Sequence, residues 1–150
     1  MDSITNQSSR ENVLLCVKDN GLMLEYASKE LKNDREIVIS AINSFEGALK
    51  FASEELKNDR EIVLKAINKD GHALSFASDE LKGDREIALQ VIKSFSGVGF
   101  SYRIPFASDE LKADREVVLE AINISNGDAL ELASEELKND REIVLKAVKL

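Results

Sequence analysis

The chain has 150 residues, 43% of them hydrophobic, which is enough for one well-buried unit or one continuous repeat core. Its formal net charge of −8 argues against duplex nucleic-acid binding, which needs clustered Lys and Arg, and favours a solvated surface or a basic partner. One proline and seven glycines argue against a disordered or collagen-like chain, and no apolar run approaches the roughly 18 residues that span a membrane.

The polar start of the chain lacks the basic-then-apolar pattern of a signal peptide, and we expect residues 1–7 to form a short disordered lead. Cys16 is the only cysteine, so a reducing, cytoplasmic compartment is the default, with export by a route without a signal peptide left open. Cys16 falls at a repeat position that holds alanine in other units, and we therefore predict that its thiol lies in the core. These alanines are Ala41, Ala66 and Ala121.

One block, Ala52–Leu64, recurs along the chain with small changes. Its arginine returns after steps of 25, 25, 25, 30 and 26 residues, at Arg10, Arg35, Arg60, Arg85, Arg115 and Arg141. Self-similarity at such a period is typical of stacked repeats.

The first helix of each repeat is predicted directly after a capping residue. That residue can accept hydrogen bonds from the first-turn amides, and a Glu two positions later suits the positive helix end. The capping residues are Ser9, Asp34, Asp59, Asp84, Asp114 and Asp140. Apolar residues such as Ile62, Val63, Ala66 and Ile67 then form a helical stripe about ten residues long.

The second helix is predicted around residues with the spacing of Leu24, Ala27 and Leu31. Ser28 and its equivalents have two interpretations. They either cap a short final turn or lie within one continuous helix, and the spacing from Ala27 to Leu31 favours the continuous helix. Asn33, Asn58, Gly83 and Asn139 then follow, and these residue types tolerate a left-handed cap. Ala113 stands at the same position, so its cap is expected to be strained or different.

Two spacings separate a rigid connection from a variable one. The capping Asp always lies six positions after the Ser, as from Ser53 to Asp59, whereas the Ser lies 19, 19, 19, 24 or 20 positions after the preceding cap. Length variation is therefore confined to the connection between the first and second helices, where surface loops accept insertions.

These patterns predict an all-α fold, a right-handed-type helical-repeat solenoid with about five helix-pair units of about 25 residues. We expect a single repeat domain at residues 8–150. Its units lie near residues 9–33, 34–58, 59–83, 84–113 and 114–139, with a half-unit at 140–150.

The stretch Asn20–Ala41 reads Asn-Gly-x-x-Leu-x-Tyr-Ala-Ser-x-Glu-Leu-Lys-Asn-Asp-Arg-Glu-Ile-Val-x-x-Ala. It resembles the tandem repeat known as domain of unknown function 4116, and the resemblance covers residues 8–150. What it implies is a small all-helical repeat protein with no assigned activity, so no catalytic residue can be transferred. The fourth unit departs most, with about five extra residues between Ser94 and Pro105 and no Asn-Gly pair.

No catalytic arrangement is evident, and we expect neither an enzyme nor a cofactor or metal site. His72 is the only histidine, lies two repeats from Cys16 and has no metal-ligand spacing beside it. Acidic pairs such as Glu54 and Glu55 recur in every unit and are therefore interpreted as scaffold. We expect each Arg to pair with a Glu of its own or the adjacent unit, the candidates being the second acids of these pairs: Glu30, Glu55, Glu80, Glu110 and Glu136.

The predicted function is that of a non-enzymatic protein–protein interaction module, because repeat stacking creates an extended surface. The insertion in the fourth unit is rich in residue types found at binding hot spots, although the same aromatics could simply fill the longer loop. The partner-binding candidates are Phe45, His72, Phe95, Phe100, Tyr102 and Arg103. The partner is expected to be another protein, with no direct nucleic acid and no membrane.

Two further possibilities follow from the charge and from the last residues. The net charge of −8 suggests, as an alternative, an acidic inhibitor that occupies a basic nucleic-acid-binding groove of a target enzyme. Residues 140–150 keep the apolar pattern of internal units, whereas the end of a solenoid normally turns polar. We therefore expect end-to-end self-association there, or a chain that is part of a longer array.

Overall fold

The computed structural model describes residues 2–94 and 108–149, and every regular element in these ranges is a helix. Long α-helices alternate with four-residue ones, and a 3₁₀ helix precedes most of the short helices. The long helices are α1 (Asp2–Asp19), α3 (Arg35–Ser44), α5 (Arg60–Ile67), α7 (Arg85–Ser94), α9 (Arg115–Ser125) and α11 (Arg141–Ala147). The short helices are α2 (Lys29–Lys32), α4 (Glu54–Lys57), α6 (Asp79–Lys82), α8 (Asp109–Lys112) and α10 (Glu135–Lys138). The 3₁₀ helices are η1 (Gly21–Tyr26), η2 (Glu46–Phe51), η3 (Gly71–Phe76) and η4 (Asp128–Leu132).

The predicted all-α repeat is confirmed. Where the whole repeat is described, it runs from a long helix through a 3₁₀ helix to a short helix, and two residues separate that short helix from the next long helix. The predicted Asp caps are present, since the Oδ1 atom of Asp34 accepts from the amides of Glu36 and Ile37. Asp140 likewise accepts from two amides, and Asp59 accepts from the amide of Ile62. The handedness of the solenoid stays a prediction.

The favoured interpretation of the second helix as one continuous element is wrong. Ala27 and Ser28 both have extended backbone, with ψ near 156° and 164°, and they separate η1 from α2. The hydroxyl of Ser28 accepts a hydrogen bond from the amide of Leu31, as an N-cap does. The other interpretation, in which this Ser caps a short final turn, is therefore correct. A 3₁₀ turn followed by a short helix reproduces the apolar spacing that suggested one helix.

The expected left-handed cap after each short helix is also wrong. Asn33, Asn58 and Asn139 have φ between −101° and −94°. Ala113 has φ −95° and ψ −6°, so its cap is neither strained nor different. The next Asp must begin a helix immediately, and a right-handed turn allows this without the reversal that a left-handed residue would cause.

The start of the chain differs from the expected disordered lead. Helix α1 begins at Asp2 and continues to Asp19, so Ser9 lies inside a helix rather than at its N-cap. Neither glycine nor proline interrupts residues 2–19, and no short helix precedes Ser9 to stop the helix there.

The chain divides into two compact units, Met1–Ser78 and Asp79–Leu150, where a single domain was expected. In the first unit α3 packs against both α1 and α5, and residues such as Ile37, Ile42 and Ile62 are fully buried. In the second unit α9 packs against α7 and α11 around Ile122 and Ile143. Each core is aliphatic, as the composition predicts.

Cys16 is exposed, so the prediction of a core thiol is wrong. Ala41, at the equivalent position, is fully buried because α3 lies between α1 and α5. Helix α1 packs on α3 and η1, whereas α3 also packs on α5 and η2. Equivalent sequence positions therefore differ in burial according to whether a further repeat packs on that side.

Candidate functional site

Backbone hydrogen bonds join the short helices of successive repeats. The amide of Ser53 donates to the carbonyl of Lys32 at 3.0 Å, and Ser134 donates to Lys112 at 2.9 Å. The Ser53 hydroxyl also donates to the Asn33 side chain, whose amide donates to Glu55 at 2.9 Å. The capping Ser and the preceding Asn thus set the register between neighbouring repeats as well as closing their own turns.

Each described arginine pair spans two repeats. The Arg10 guanidinium donates from Nε to Asp34 at 2.6 Å and from Nη2 to Glu36 at 2.7 Å. Arg35 forms the same pair of contacts with Asp59 and Glu61, Arg85 with Asp114 and Glu116, and Arg115 with Asp140 and Glu142. We call this set the Arg ladder.

The Arg ladder partly matches the expected pairing. Each arginine of the ladder does pair with the adjacent unit, but its partners are the capping Asp and the Glu two residues after that Asp. The second acids have other roles, since Glu55 accepts from Asn33 and Glu30 bonds to its capping Ser28. The first acids bind within their own short helix, as in the 2.8 Å contact between Lys57 and Glu54. Sequence spacing showed that these residues recur but did not show which pairs meet.

The capping carboxylates have lowered pKa values because they accept from two directions. Burial of Asp34 on its own would raise its pKa, but the hydrogen bonds from Arg10 and from the Ile37 amide outweigh burial. For Asp114 the amide of Val117 is the largest cause, and Arg85 adds to it. The Arg10 guanidinium has a raised pKa, chiefly through its bond to Asp34. These residues remain ionised under physiological conditions and hold the scaffold together.

The polar side chains that recur in the repeats therefore serve as helix caps or form hydrogen bonds and ion pairs between repeats. Within residues 2–94 and 108–149, no group of three His, Cys, Asp or Glu side chains is arranged to hold a metal ion. A search of the described helices found none that is both long and apolar enough to cross a membrane. A shallow groove on α7 is lined by Glu86, Leu89, Gln90 and Lys93.

The residues that differ between repeats lie along the 3₁₀ helices. In the first unit η1, η2 and η3 pack side by side, and their second positions hold Leu22, Gly47 and His72. We call this row, with Phe45, the variable edge. Leu22 is 40% exposed, and His72 is exposed, with its ring edge-on to Phe76 at 5.9 Å. The variable edge therefore presents different chemistry at each repeat on a common backbone.

The 3₁₀ helices do not all begin in the same way. Asn20 and Asp70 accept from the amide two residues ahead, whereas Phe45 stands at the same position without a side-chain bond. A Cβ on Gly47 would lie 2.7 Å from the Phe45 ring, which shows that the half-buried ring folds back over η2. In the second unit Asn126 and Gly127 are both left-handed, with φ 53° and 97°.

The structure places two of the predicted contact residues, Phe45 and His72, on adjacent 3₁₀ connections of the first unit. The other candidates, Phe95, Phe100, Tyr102 and Arg103, lie outside the described residues. Sequence reasoning missed the exposed apolar residues of the first repeat, Leu15, Leu22, Met23 and Tyr26. Leu15 could have been found from the alignment of the repeats, because the equivalent positions are polar: Ser40, Lys65, Gln90, Glu120 and Lys146.

Comparison with known proteins gives one match. The model of a family described as a domain of unknown function (DUF4116) matches five overlapping segments, residues 9–57, 34–82, 59–103, 84–134 and 124–150. No curated protein and no solved structure matches the chain.

Proposed function

The chain belongs to the DUF4116 family, and we propose that it acts as a non-enzymatic protein–protein interaction module that binds its partner through the variable edge. The observation that supports this proposal most is that the residues of a repeat fall into two groups with different roles. Residues that recur form the core, the caps and the Arg ladder, while the exposed 3₁₀ positions differ from one repeat to the next. A scaffold of this kind gives a partner a series of distinct contacts at regular intervals.

The chemistry of the variable edge suits a protein partner. Leu22 and the aromatic rings of Phe45 and His72 offer apolar area on helices whose backbone is held by hydrogen bonds to neighbouring turns. Apolar and aromatic side chains on a preorganised backbone are enriched at the centres of interfaces, because little conformational entropy is lost on binding. Phe95, Phe100, Tyr102 and Arg103 remain candidate contacts of the same module.

The second candidate, an acidic inhibitor of a basic groove, rests on the net charge of −8. Many of the recurring acids are already paired with cations, for example Glu61 with Arg35 and Asp109 with Lys112. An exposed pair of this kind contributes little attraction to a distant basic surface, since opposite charges lie together. The arrangement therefore favours the variable edge over the overall charge as the source of affinity.

Affinity capture followed by mass spectrometry tests the proposal with three forms of the chain. We expect wild type to retain a specific partner that the double variant Leu22→Ser/His72→Ser loses. The control variant Lys65→Ser/Asp19→Ser changes two exposed residues of long helices without changing the net charge, and it should retain the partner.

The salt dependence of that binding separates the two candidates. Binding through the variable edge should change little between about 50 and 500 mM salt, because apolar contacts are not screened. Binding that collapses over this range and is insensitive to the Leu22 and His72 changes would contradict the proposal and support the acidic inhibitor.

A further inference from the structure

The first and last repeats each expose apolar side chains that differ from the variable edge. On the first repeat Leu15 and Cys16 of α1 and Met23 and Tyr26 of η1 are exposed, with Tyr26 at 78% and Leu15 at 65%. We call these four the N face. On the last repeat Leu145 and Val148 are exposed beside the half-buried Val144, and we call these three the C face.

Four residues of the two faces stand at positions that internal repeats bury: Cys16, Met23, Val144 and Val148. Met23 corresponds to Ala48, Ala73 and Ala129, each at most 2% exposed. Cys16 corresponds to Ala41, Ala66 and Ala121, and Val148 to Ile42, Ile67 and Ile122, all of them fully buried. Leu15 is different, because an apolar residue replaces the polar one found in the other repeats. The N face is thus more apolar than an uncovered repeat alone would make it.

The stacking seen inside each unit shows which surface fits these faces. In the first unit α1 packs on α3 and η1 on η2, and in the second unit α9 packs on α11. Within each unit, a long helix that follows another is therefore covered, on the side toward the previous repeat, by the long helix of that previous repeat. The covering surface is the side of that helix that faces the next repeat. The C face of α11 is such a surface, and it carries Val144 where internal repeats bury Val38, Val63 and Val118.

Charge supports the same pairing. The Arg ladder joins each arginine to the Glu that follows the next cap, as Arg10 joins Glu36. At the first repeat that Glu position is held by Glu11, and at the last repeat the Arg position is held by Arg141. Neither residue forms an ion pair among the residues that the structure describes, so each can take a partner from outside the chain. Ser9 stands in place of the capping Asp, so one of the two usual contacts is available.

We propose that a second copy of this chain docks its C face on the N face of the first, head to tail, with Arg141 of one copy beside Glu11 of the other. The contact joins two different surfaces, so each copy keeps one face free for the next. Such a heterologous interface extends into longer oligomers unless the rotation closes a ring. The mass of the assembly should therefore rise with concentration or stop at a closed ring.

Sedimentation of the full chain at a series of concentrations tests this arrangement. We expect wild type to associate and Val148→Asp to shift the association at least tenfold to higher concentration, because a charge would be buried against Leu15 and Cys16. Asn43→Asp is the matched control, since it makes the same charge change at an exposed position in the first unit, and it should associate as wild type. Wild type that stays monomeric at millimolar concentration would overturn the proposal.

Disulfide trapping tests the direction of docking. Cys16 is the only native cysteine, and Val148→Cys adds one thiol on the C face. Under oxidised glutathione we expect disulfides between Cys16 of one copy and position 148 of the next, visible as a series of covalent oligomers that reductant dissolves. The matched variant Cys16→Ser/Val148→Cys should give no such series. Efficient Cys16-to-Cys16 dimers of wild type would instead show the two N faces together, and the proposal would be wrong.

Discussion

The two connections within each repeat differ in how they tolerate change. The tight corner runs from the capping Ser to the next capping Asp, which always lies six positions later, as from Ser53 to Asp59. The looser connection joins a long helix to its 3₁₀ helix, and its ends are formed by Asn20, Phe45 or Asp70 with different capping bonds.

The tight corner is held by two sets of bonds, one within its own turn and helix and one to the neighbouring repeat. In the tight corner Ser53 binds both its own turn and the Lys32 carbonyl of the neighbouring repeat, and Asp59 binds both its own helix and Arg35. A change in length would break both sets together. The looser connection has to satisfy only the ends of its own helices, so several sequences serve equally well.

Inserting one residue in the tight corner should destabilise the chain more than any other change considered below. One glycine between Asn58 and Asp59 should cost roughly 3 to 5 kcal/mol, because it removes the Arg35 contacts and displaces α5 from its core position. The urea midpoint followed by circular dichroism at 222 nm measures it. One glycine after Ser44 is the control and should cost about 1 kcal/mol or less, since the α9–η4 connection already carries an additional residue. Equal losses at the two sites would contradict the comparison.

A second prediction compares a glycine that has no room for a side chain with a glycine that has room for one. A Cβ on Gly21 would overlap the carbonyl oxygen of Ala41, so Gly21→Ala should destabilise the chain by about 2 to 3 kcal/mol. Gly83→Ala meets only ordinary contacts at 3.5 Å or more, and Ala113 already occupies the equivalent position. It should be neutral or stabilise by about 0.5 kcal/mol through the unfolded state. Thermal denaturation measures both, and a larger loss at Gly83 would refute this explanation.

A smaller effect is expected from separating the two roles of a capping Asp. Asp59→Asn keeps an N-cap and loses the charge that faces Arg35, so it should cost about 0.5 kcal/mol or less, because the pair is partly exposed. Asp59→Ala loses the cap as well and should cost about 1 to 2 kcal/mol. Urea titration of both variants gives the two values. If Asn were as costly as Ala, the ion pair rather than the cap would stabilise this turn.

The smallest and broadest effect is on the pH dependence of stability. Asp34, Asp59, Asp114 and Asp140 have folded-state pKa values below the ordinary value, so the folded protein binds fewer protons than the unfolded chain. Their contribution is complete above the unfolded-state pKa of about 3.9 and is lost as the pH falls through the folded values. Urea midpoints between pH 7 and 2 should show this decline. Asp34→Asn should make the decline of the urea midpoint with falling pH less steep. An unchanged slope would show that Asp34 does not contribute to the pH dependence of stability.

Much of the fold was predictable because the same repeat occurs several times in the chain. The Asp caps, the apolar stripe after Ile62 and the rigid six-residue spacing all follow from local patterns that recur. The extended Ala27 and Ser28 were not predictable, because a 3₁₀ turn and a short helix place apolar residues at nearly helical spacing. Of the candidate contacts, Phe45 and His72 were found as residues of variable loops. Leu22 was overlooked because it follows the recurring Asn-Gly pair and no local pattern marks it as exposed.

The stack of helical repeats follows from local signals, since caps, apolar periodicity and spacing act within a few residues of one another. Which charges pair and which equivalent positions are covered depends on tertiary packing. Arg10 meets Asp34 rather than a Glu of the acidic pairs, and Cys16 is exposed where Ala41 is buried. Both outcomes depend on how one repeat packs against the next, and packing between segments 25 residues apart is not encoded in the pattern of either segment alone.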